Sequence, residues 1–256
     1  MISFIIPAHN EEQHLGTTLY AVAAAGQSSG HEYEVIVVDD ASTDRTVEIA
    51  QDFGARVLSV QNRQIAATRN AGARVANGDI FFFVDADTQP NAQAVRACIR
   101  EISRGAVGGG CVFRFDGVLP LWAVFLYPVA VMLARTIKLV GGCFLFCRRD
   151  VFEKTGGFNE RFYAAEEIAF IGELKRHGRF AIPRPTVITS GRKLRAHSGW
   201  TILDLVRKWG VSGPQAFQKR EGLEIWYGER QIDPVAGPDR KAGSEGNGKA
   251  GKLPKG

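Results

Sequence analysis

The chain has 256 residues, 45% of them hydrophobic and 23% charged, which is enough to bury a substantial core and excludes collagenous, disulfide-scaffold and wholly disordered classes. Thirty-two basic residues against 27 acidic ones leave a formal net charge of +5, part of it in a polar C-terminal segment. So mild an excess argues only weakly for nucleic acid, and it suits a nucleotide diphosphate or an acidic membrane surface equally well.

Taken in order, Ser3 to Pro7 is a short apolar run that reads as a buried strand. It lacks the basic flank of a signal peptide, so the expected setting is cytosolic. Leu15, Leu19, Val22 and Ala23 then carry helical spacing. Glu34 to Val38 is a second strand that stops at Asp39 and Asp40, and Ser42 to Thr46 opens a helix with apolar positions Val47, Ile49, Ala50 and Phe53. Arg56–Val60 predicts a strand, Ala66–Ala76 a helix, and Ile80–Val84 a strand ending at Asp85-Ala86-Asp87. Strands alternating with helices predict an α/β domain built on a doubly wound, mostly parallel sheet.

The pattern then changes. Gly108 to Phe115 reads as a strand, and Gly117 to Ala134 carries no formal charge but is interrupted by Pro120 and Pro128. This segment is borderline for the roughly 20 residues of a membrane span; a core or acceptor-groove helix, an interfacial membrane contact and a true span all stay open, with a soluble or peripheral protein expected. Leu139–Cys147 reads as a strand, Arg149–Lys154 as a short helix, and Glu166–His177 as a helix whose two leading acids suit its positive end. Residues 233–256 hold almost no large apolar side chains and are expected to be disordered. Cys98, Cys111, Cys143 and Cys147 lack zinc-site spacing and read as buried, reduced thiols.

In an open sheet of this kind ligands bind beyond the carboxyl ends of the strands. Asn10, Asp39, Asp40, Asp85 and Asp87 all fall there, although each alone is also an ordinary turn or cap residue. Two carboxylates flanking one small residue offer hard oxygen ligands to Mg²⁺ or Mn²⁺, the remaining positions being filled by a diphosphate and water.

The segments Phe4–Glu12, Val35–Thr46, Ala67–Ala73 and Phe83–Thr88, followed by Gly142–Phe152, Gly156–Phe162 and Ala165–Phe170, resemble the family 2 glycosyltransferases of GT-A fold over roughly residues 1–180. The resemblance implies a single GT-A (Rossmann-like) domain over residues 1–230, with a nucleotide-binding half (1–110) and an acceptor-binding half (111–230). It implies that Pro7, Ala8, Asn10 and Glu11 border the nucleotide, that Asp40 recognises base or ribose with Asp39 supporting the turn, and that Arg69 lies near the nucleotide unless it pairs with a strand-end Asp instead. Asp85 would meet the ribose or sugar, Asp87 would hold the metal with Asp85 beside it, and His197 would stand near the metal and diphosphate. Glu167 aligns with the family's catalytic base, usually an Asp, with Glu166 as the reserve; two acids merely favouring a helix start is the bland alternative.

Arg192, Lys193 and Arg195 either neutralise phosphate or form a solvated basic face. The Gln-x-x-Arg-Trp pattern of processive synthases is missing around Lys208-Trp209, so single additions are expected. Trp122, Phe125, Leu126 and Tyr127 offer an apolar surface to a lipid-linked or other hydrophobic acceptor. The expected reaction is metal-dependent, inverting transfer from a nucleotide-sugar, UDP-linked or else GDP-mannose, to an unidentified hydroxyl. The rivals are a catalytically silent nucleotide-sugar-binding protein and a nucleotidyltransferase, the latter opposed by the glycine-free acidic loop after the first strand. Acidic strand ends also oppose a nucleic-acid partner.

Overall fold

A computed structural model describes residues 1–196 of the chain. The first apolar run becomes β1 (Ile2–Ala8), buried along its whole length, and α1 (Leu15–Gln27) follows, burying Leu15, Leu19 and Val22. Then come β2 (Tyr33–Asp40), α2 (Thr46–Asp52), β3 (Arg56–Val60), α3 (Ile65–Val75) and β4 (Ile80–Val84). These four strands lie side by side in the order β3-β2-β1-β4 and pair in parallel, with Phe4 level with Val35 and Phe82. The alternation of strand and helix read from the sequence therefore produces the doubly wound arrangement expected of it.

Beyond β4 the structure departs from the sequence expectation. After the two-residue β5 (Thr88–Gln89) comes an unforeseen helix, α4 (Ala92–Ser103), whose start is fixed by the Asn91 side chain accepting the Ala94 N–H. Gly108–Phe115, read as one strand, is two: β6 (Ala106–Gly110) stays in the large sheet, whereas β7 (Phe113–Phe115) crosses to a smaller one. The glycines of β6 permit its close approach to both neighbours, since a Cβ on Gly109 would meet the Ala181 carbonyl and the Phe146 ring.

The uncharged stretch forms α5 (Leu121–Ile137), with Pro128 inside it and only Ala123 buried, so the core-helix reading fails. Other helices already cover both faces of the large sheet and leave α5 no sheet surface to cover. Among the described residues no helix is long and apolar enough to cross a membrane, which removes the spanning reading.

The strand expected from Leu139 begins only at Phe144, as β8 (Phe144–Arg148), because Lys138 ends α5 in a left-handed conformation and Leu139–Cys143 forms a loop. Then follow α6 (Arg149–Thr155), α7 (Glu166–His177), β9 (Arg179–Ala181), β10 (Val187–Thr189) and α8 (Arg192–Ala196). The large sheet runs β3-β2-β1-β4-β8-β6-β9, with β8 antiparallel to both its neighbours, and the small one runs β5-β10-β7. His197, Lys208-Trp209 and the 233–256 segment lie outside the described residues. All four cysteines are free and buried, as read from their spacing.

Two apolar layers sandwich the large sheet. Phe4, Phe82, Phe144 and Phe146 pack with Leu15, Val22, Val95 and Cys98 on one face. Phe81, Phe83, Phe152, Phe158 and Phe170 cluster on the other, with ring centroids of Phe158 and Phe170 4.2 Å apart. On this second face α3 rides directly on β1 and β2 through Gly72, where an added Cβ would lie 2.5 Å from Ile5 Cγ2 and 2.7 Å from Val38 Cγ2. Gly72→Ala is therefore expected to destabilise the fold by roughly 1–3 kcal/mol despite the better helix propensity of alanine; urea unfolding checks this, and an unchanged midpoint would contradict the packing.

Candidate functional site

The carboxyl ends of β1, β2 and β4 open on one cleft. Pro7 and Ala8 close β1 and are buried. Asn10 follows with φ +52°, its Oδ1 accepting the Thr43 N–H at 2.8 Å, which ties the first loop to the second. Asp39 Oδ1 accepts the Ser42 N–H at 3.2 Å. Asp40 is more heavily committed: it accepts from the backbone N–H groups of Arg63 and Gln64 and from Thr68 Oγ1, at 2.8, 3.2 and 2.8 Å. This carboxylate fixes the start of α3, the turn-and-cap role that a strand-end Asp also offers. Asn10, Ala41, Arg63 and Ala165 all take positive φ in loops at these strand and helix ends, the kind of local strain that a surrounding scaffold must impose.

Beneath the cleft lies Arg69, 1% exposed. Its Nη1 donates to Glu166 Oε1 at 2.6 Å, and its Nη2 donates to Asp85 Oδ1 at 2.8 Å and to the Gly142 carbonyl at 3.1 Å, while the guanidinium carbon sits 5.1 Å from the centre of the Phe158 ring. The pairing with a strand-end Asp, weighed against a nucleotide contact, is thus the arrangement observed. Burial works against its charge, but Asp85 and Glu166 outweigh that and hold the guanidinium protonated.

Glu166, at the start of α7, is buried with its pKa pushed up by that burial, against the pull of Arg69. Glu167 beside it is half-buried and pushed up to about 8, first by desolvation and then by the Glu166 charge. One guanidinium shared among three acids cannot compensate them all.

On the cleft's other side, Arg192 Nη2 donates to Glu11 Oε1 at 2.7 Å and to Asp87 Oδ2 at 3.0 Å. Arg192 stands at the start of α8. Arg195 is anchored away from the cleft, to the carbonyl and Oδ1 of Asp116, and nothing is described for the Lys193 side chain. His14 faces the same cluster and its pKa is lowered by burial and by Arg192, which keeps the ring neutral near pH 7. Five carboxylates, Glu11, Asp85, Asp87, Glu166 and Glu167, thus meet two guanidinium groups, Arg69 and Arg192.

The donor chemistry at Asp85 and Asp87 fits a hard divalent cation. Each commits one oxygen to an arginine, Oδ1 of Asp85 and Oδ2 of Asp87. No group of three or more His, Cys, Asp or Glu side chains capable of holding a metal occurs among the described residues. The pair therefore suits a cation that takes its remaining ligands from a diphosphate and water.

Sequence reasoning missed Asp116, Thr68 and Asn70. Asn70 Nδ2 donates to the Phe158 carbonyl at 2.8 Å and to Glu160 Oε1 at 2.9 Å, and so holds the loop that leads into α7. The available signal was three consecutive polar residues, Thr68, Arg69 and Asn70, within an otherwise alanine-rich helix; all three are buried.

Residues 3–156 match the model of the family described as "Glycosyl transferase family 2". An undecaprenyl-phosphate 4-deoxy-4-formamido-L-arabinose transferase of Pseudomonas paraeruginosa is 30% identical over 172 residues, 63% of this chain and 51% of that protein. A dolichol-phosphate mannosyltransferase of Pyrococcus furiosus is 28% identical over 163 residues, covering 61% and 45%. The chain thus spans about half the length of these curated relatives. Among solved structures, a Pyrobaculum calidifontis mannosyltransferase in complex with GDP-Man and Mn²⁺ superposes with a TM-score of 0.62 at 20% identity, over 81% of this chain and 60% of that one. TarS of S. aureus in complex with UDP-GlcNAc gives 0.58 at 19%, over 75% and 58%. These likenesses carry the GT-A fold.

The raised Glu167 pKa has a stability consequence. The folded chain keeps that proton between the ordinary carboxyl value of 4.5 and about 8, while the unfolded chain releases it, so stability is complete below pH 4.5 and falls as pH rises through this window. Glu167→Gln, which cannot ionise, is expected to unfold at the wild-type denaturant midpoint near pH 4.5 and to be more stable by roughly 1–3 kcal/mol at pH 8.5, after discounting for solvent contact. Parallel pH profiles for the two proteins would contradict the assignment.

Proposed function

The chain belongs to glycosyl transferase family 2, and from that premise we propose that it transfers a sugar, with inversion and one unit at a time, from a nucleotide-sugar to an acceptor carried on a lipid or another hydrophobic body. The observation that carries this reading is the juxtaposition of Glu167 with the Arg69–Asp85–Glu166 network at the carboxyl end of β4. Inverting transfer needs one base to take the acceptor proton while the oxygen attacks opposite the departing diphosphate. Glu167, with a pKa near the working pH, is that base, and Glu166 stays bound to Arg69 as its orienting partner.

In this reading Pro7, Ala8, Asn10 and Glu11 line the nucleotide side. Asp39 takes the base or ribose role, because Asp40 is occupied by three donors from the loop and helix that follow β3. Asp87 and Asp85 would hold Mg²⁺ or Mn²⁺, and such a cation would neutralise the negative charge that builds on the leaving diphosphate. UDP-linked sugars are the first donors to try and GDP-mannose the second. The reading keeps a nucleotide-binding stretch, 1–110, and an acceptor-binding one, 111–230, as part of the proposal.

The acceptor side rests on α5. Leu121, Val124, Phe125, Leu126, Val129, Met132 and Leu133 are exposed along it, Phe125 by 75%, while Trp122 and Tyr127 are half-buried. Arg135 and Lys138 sit at its C-terminal end, and Lys175 Nζ bonds the Ile137 carbonyl there. An apolar helix with a basic end lies well at the surface of an anionic bilayer, where lipid-linked acceptors reside. The two relatives above are named for undecaprenyl phosphate and dolichol phosphate, which supports a lipid-borne acceptor for this chain.

In the free enzyme kcat/KM should rise with pH through an apparent value of about 8. Glu167→Gln should lower turnover roughly 10²–10⁴-fold while keeping donor affinity within about threefold, whereas Asp87→Ala should abolish the response to Mn²⁺; donor hydrolysis and isothermal calorimetry read both. Donor binding without turnover in wild type, across a broad acceptor panel, would leave a nucleotide-sugar-binding protein instead. On the acceptor side, the triple change Phe125→Ser, Leu126→Ser, Met132→Ser should cut co-sedimentation with phosphatidylglycerol vesicles at least about tenfold without lowering the melting temperature, and unchanged sedimentation would remove α5 from the reading.

A further inference from the structure

Arg192 occupies an unusual position for a basic residue near a diphosphate site. A single nitrogen, Nη2, lies between Glu11 Oε1 at 2.7 Å and Asp87 Oδ2 at 3.0 Å. The three side chains are 11%, 5% and 12% exposed, so these are largely desolvated ion pairs rather than surface ones. The arginine is also delivered by a built support. The Ser190 N–H donates to the carbonyl of Asp87 at 3.1 Å, and the Gly191 N–H donates to Asp116 Oδ1 at 2.7 Å. Thr88 and Thr189, which flank Asp87 and Ser190, share a buried hydroxyl contact at 2.8 Å. Backbone and side chain together therefore hold Arg192 opposite Asp87.

A positive nitrogen bridging two carboxylates from different loops does the electrostatic work of a bound cation. We propose that Arg192 is a resident counter-cation: it satisfies Glu11 and Asp87 while no metal is bound, competes with the divalent cation for Asp87, and passes to the donor diphosphate when cation and donor arrive together. The inference rests on the reading above in placing the cation at Asp87. Its physical content is mutual exclusion. With Oδ2 engaged by the guanidinium, only Oδ1 of Asp87 is left to a divalent ion, and two positive charges on one carboxylate repel. The diphosphate resolves the conflict by giving the fork-shaped guanidinium a better-matched anion. Cation binding without donor is therefore held weak by the protein itself.

The test reads Mn²⁺ affinity in the absence of any donor, by the loss of the free-ion electron paramagnetic resonance signal. The proteins compared are the full chain, Arg192→Gln, Arg192→Lys and Asp87→Asn. Removing the competing charge should tighten Mn²⁺ binding about tenfold in Arg192→Gln, in the range expected of a coupled pair of sites; Arg192→Lys should stay close to wild type, and Asp87→Asn should bind weakly. A gain of affinity is not what a damaged fold gives. Should Arg192→Gln lose its near-ultraviolet circular dichroism, Arg192→Met, which keeps the apolar stem, takes its place. Equal or weaker Mn²⁺ binding in the neutral variant overturns the counter-cation inference and leaves the metal at Asp87. Mn²⁺ binding by none of the proteins overturns that metal assignment, and the inference with it.

Discussion

A single buried positive charge organises the cleft. Arg69 reaches from α3 to the end of β4 through Asp85 and to the start of α7 through Glu166, and so welds the parallel part of the sheet to the helix that carries Glu167. A charge so deeply buried persists only because it is paired, and its acids persist because of it. Gly142 lets the loop before β8 pass close over the network: a Cβ there would stand 3.3 Å from Arg69 Nη2 and 3.2 Å from Glu167 Cβ, so a side chain would press on both by a few tenths of an ångström. The Phe158 ring covers the guanidinium from the other side and excludes water from it.

Elements whose signal is local were legible in the sequence. The bounds of β3, β4 and α7 coincide with their apolar patterns and charged starts, and β1 and β2 differ by a few residues at most. The failures concern choices that depend on distant partners. Nothing within Gly108–Phe115 announces that the chain leaves one sheet for another at Cys111, because that switch is set by β9 and β10, which come some 70 residues later. Apolar content likewise said that the 117–134 segment is a helix fit for burial, but not that both sheet faces were already taken by α1, α4, α3, α6 and α7. At the site, the residue types and strand-end positions were readable, whereas the division of labour was not. Asp40 serves α3, Arg69 lies under the acids, and Asp116 anchors α8, and each of these follows from side-chain partners far apart in sequence.

The small sheet links these parts. β5 begins one residue after Asp87, β10 ends three residues before Arg192, and β7 ends one residue before Asp116, which grips the first turn of α8. The exposed helix α5 follows Asp116 after a short loop. The apolar surface and part of the acidic cleft are therefore built next to one floor of three short strands.

Glu167 keeps its proton up to about pH 8, so near neutral pH the charged acids of the cleft only modestly outnumber its two guanidinium groups, and that balance bears on which solutes can dwell there. An anion approaching alone enters a basin of its own sign, and a metal ion approaching alone finds Asp87 already engaged by Arg192. If Arg192 is the counter-cation inferred above, a complex of the two, nearly neutral on arrival, would satisfy both sets of charges at once. On the counter-cation inference, occupancy would track the product of the two concentrations, and the cleft would act as a coincidence detector for cation and diphosphate.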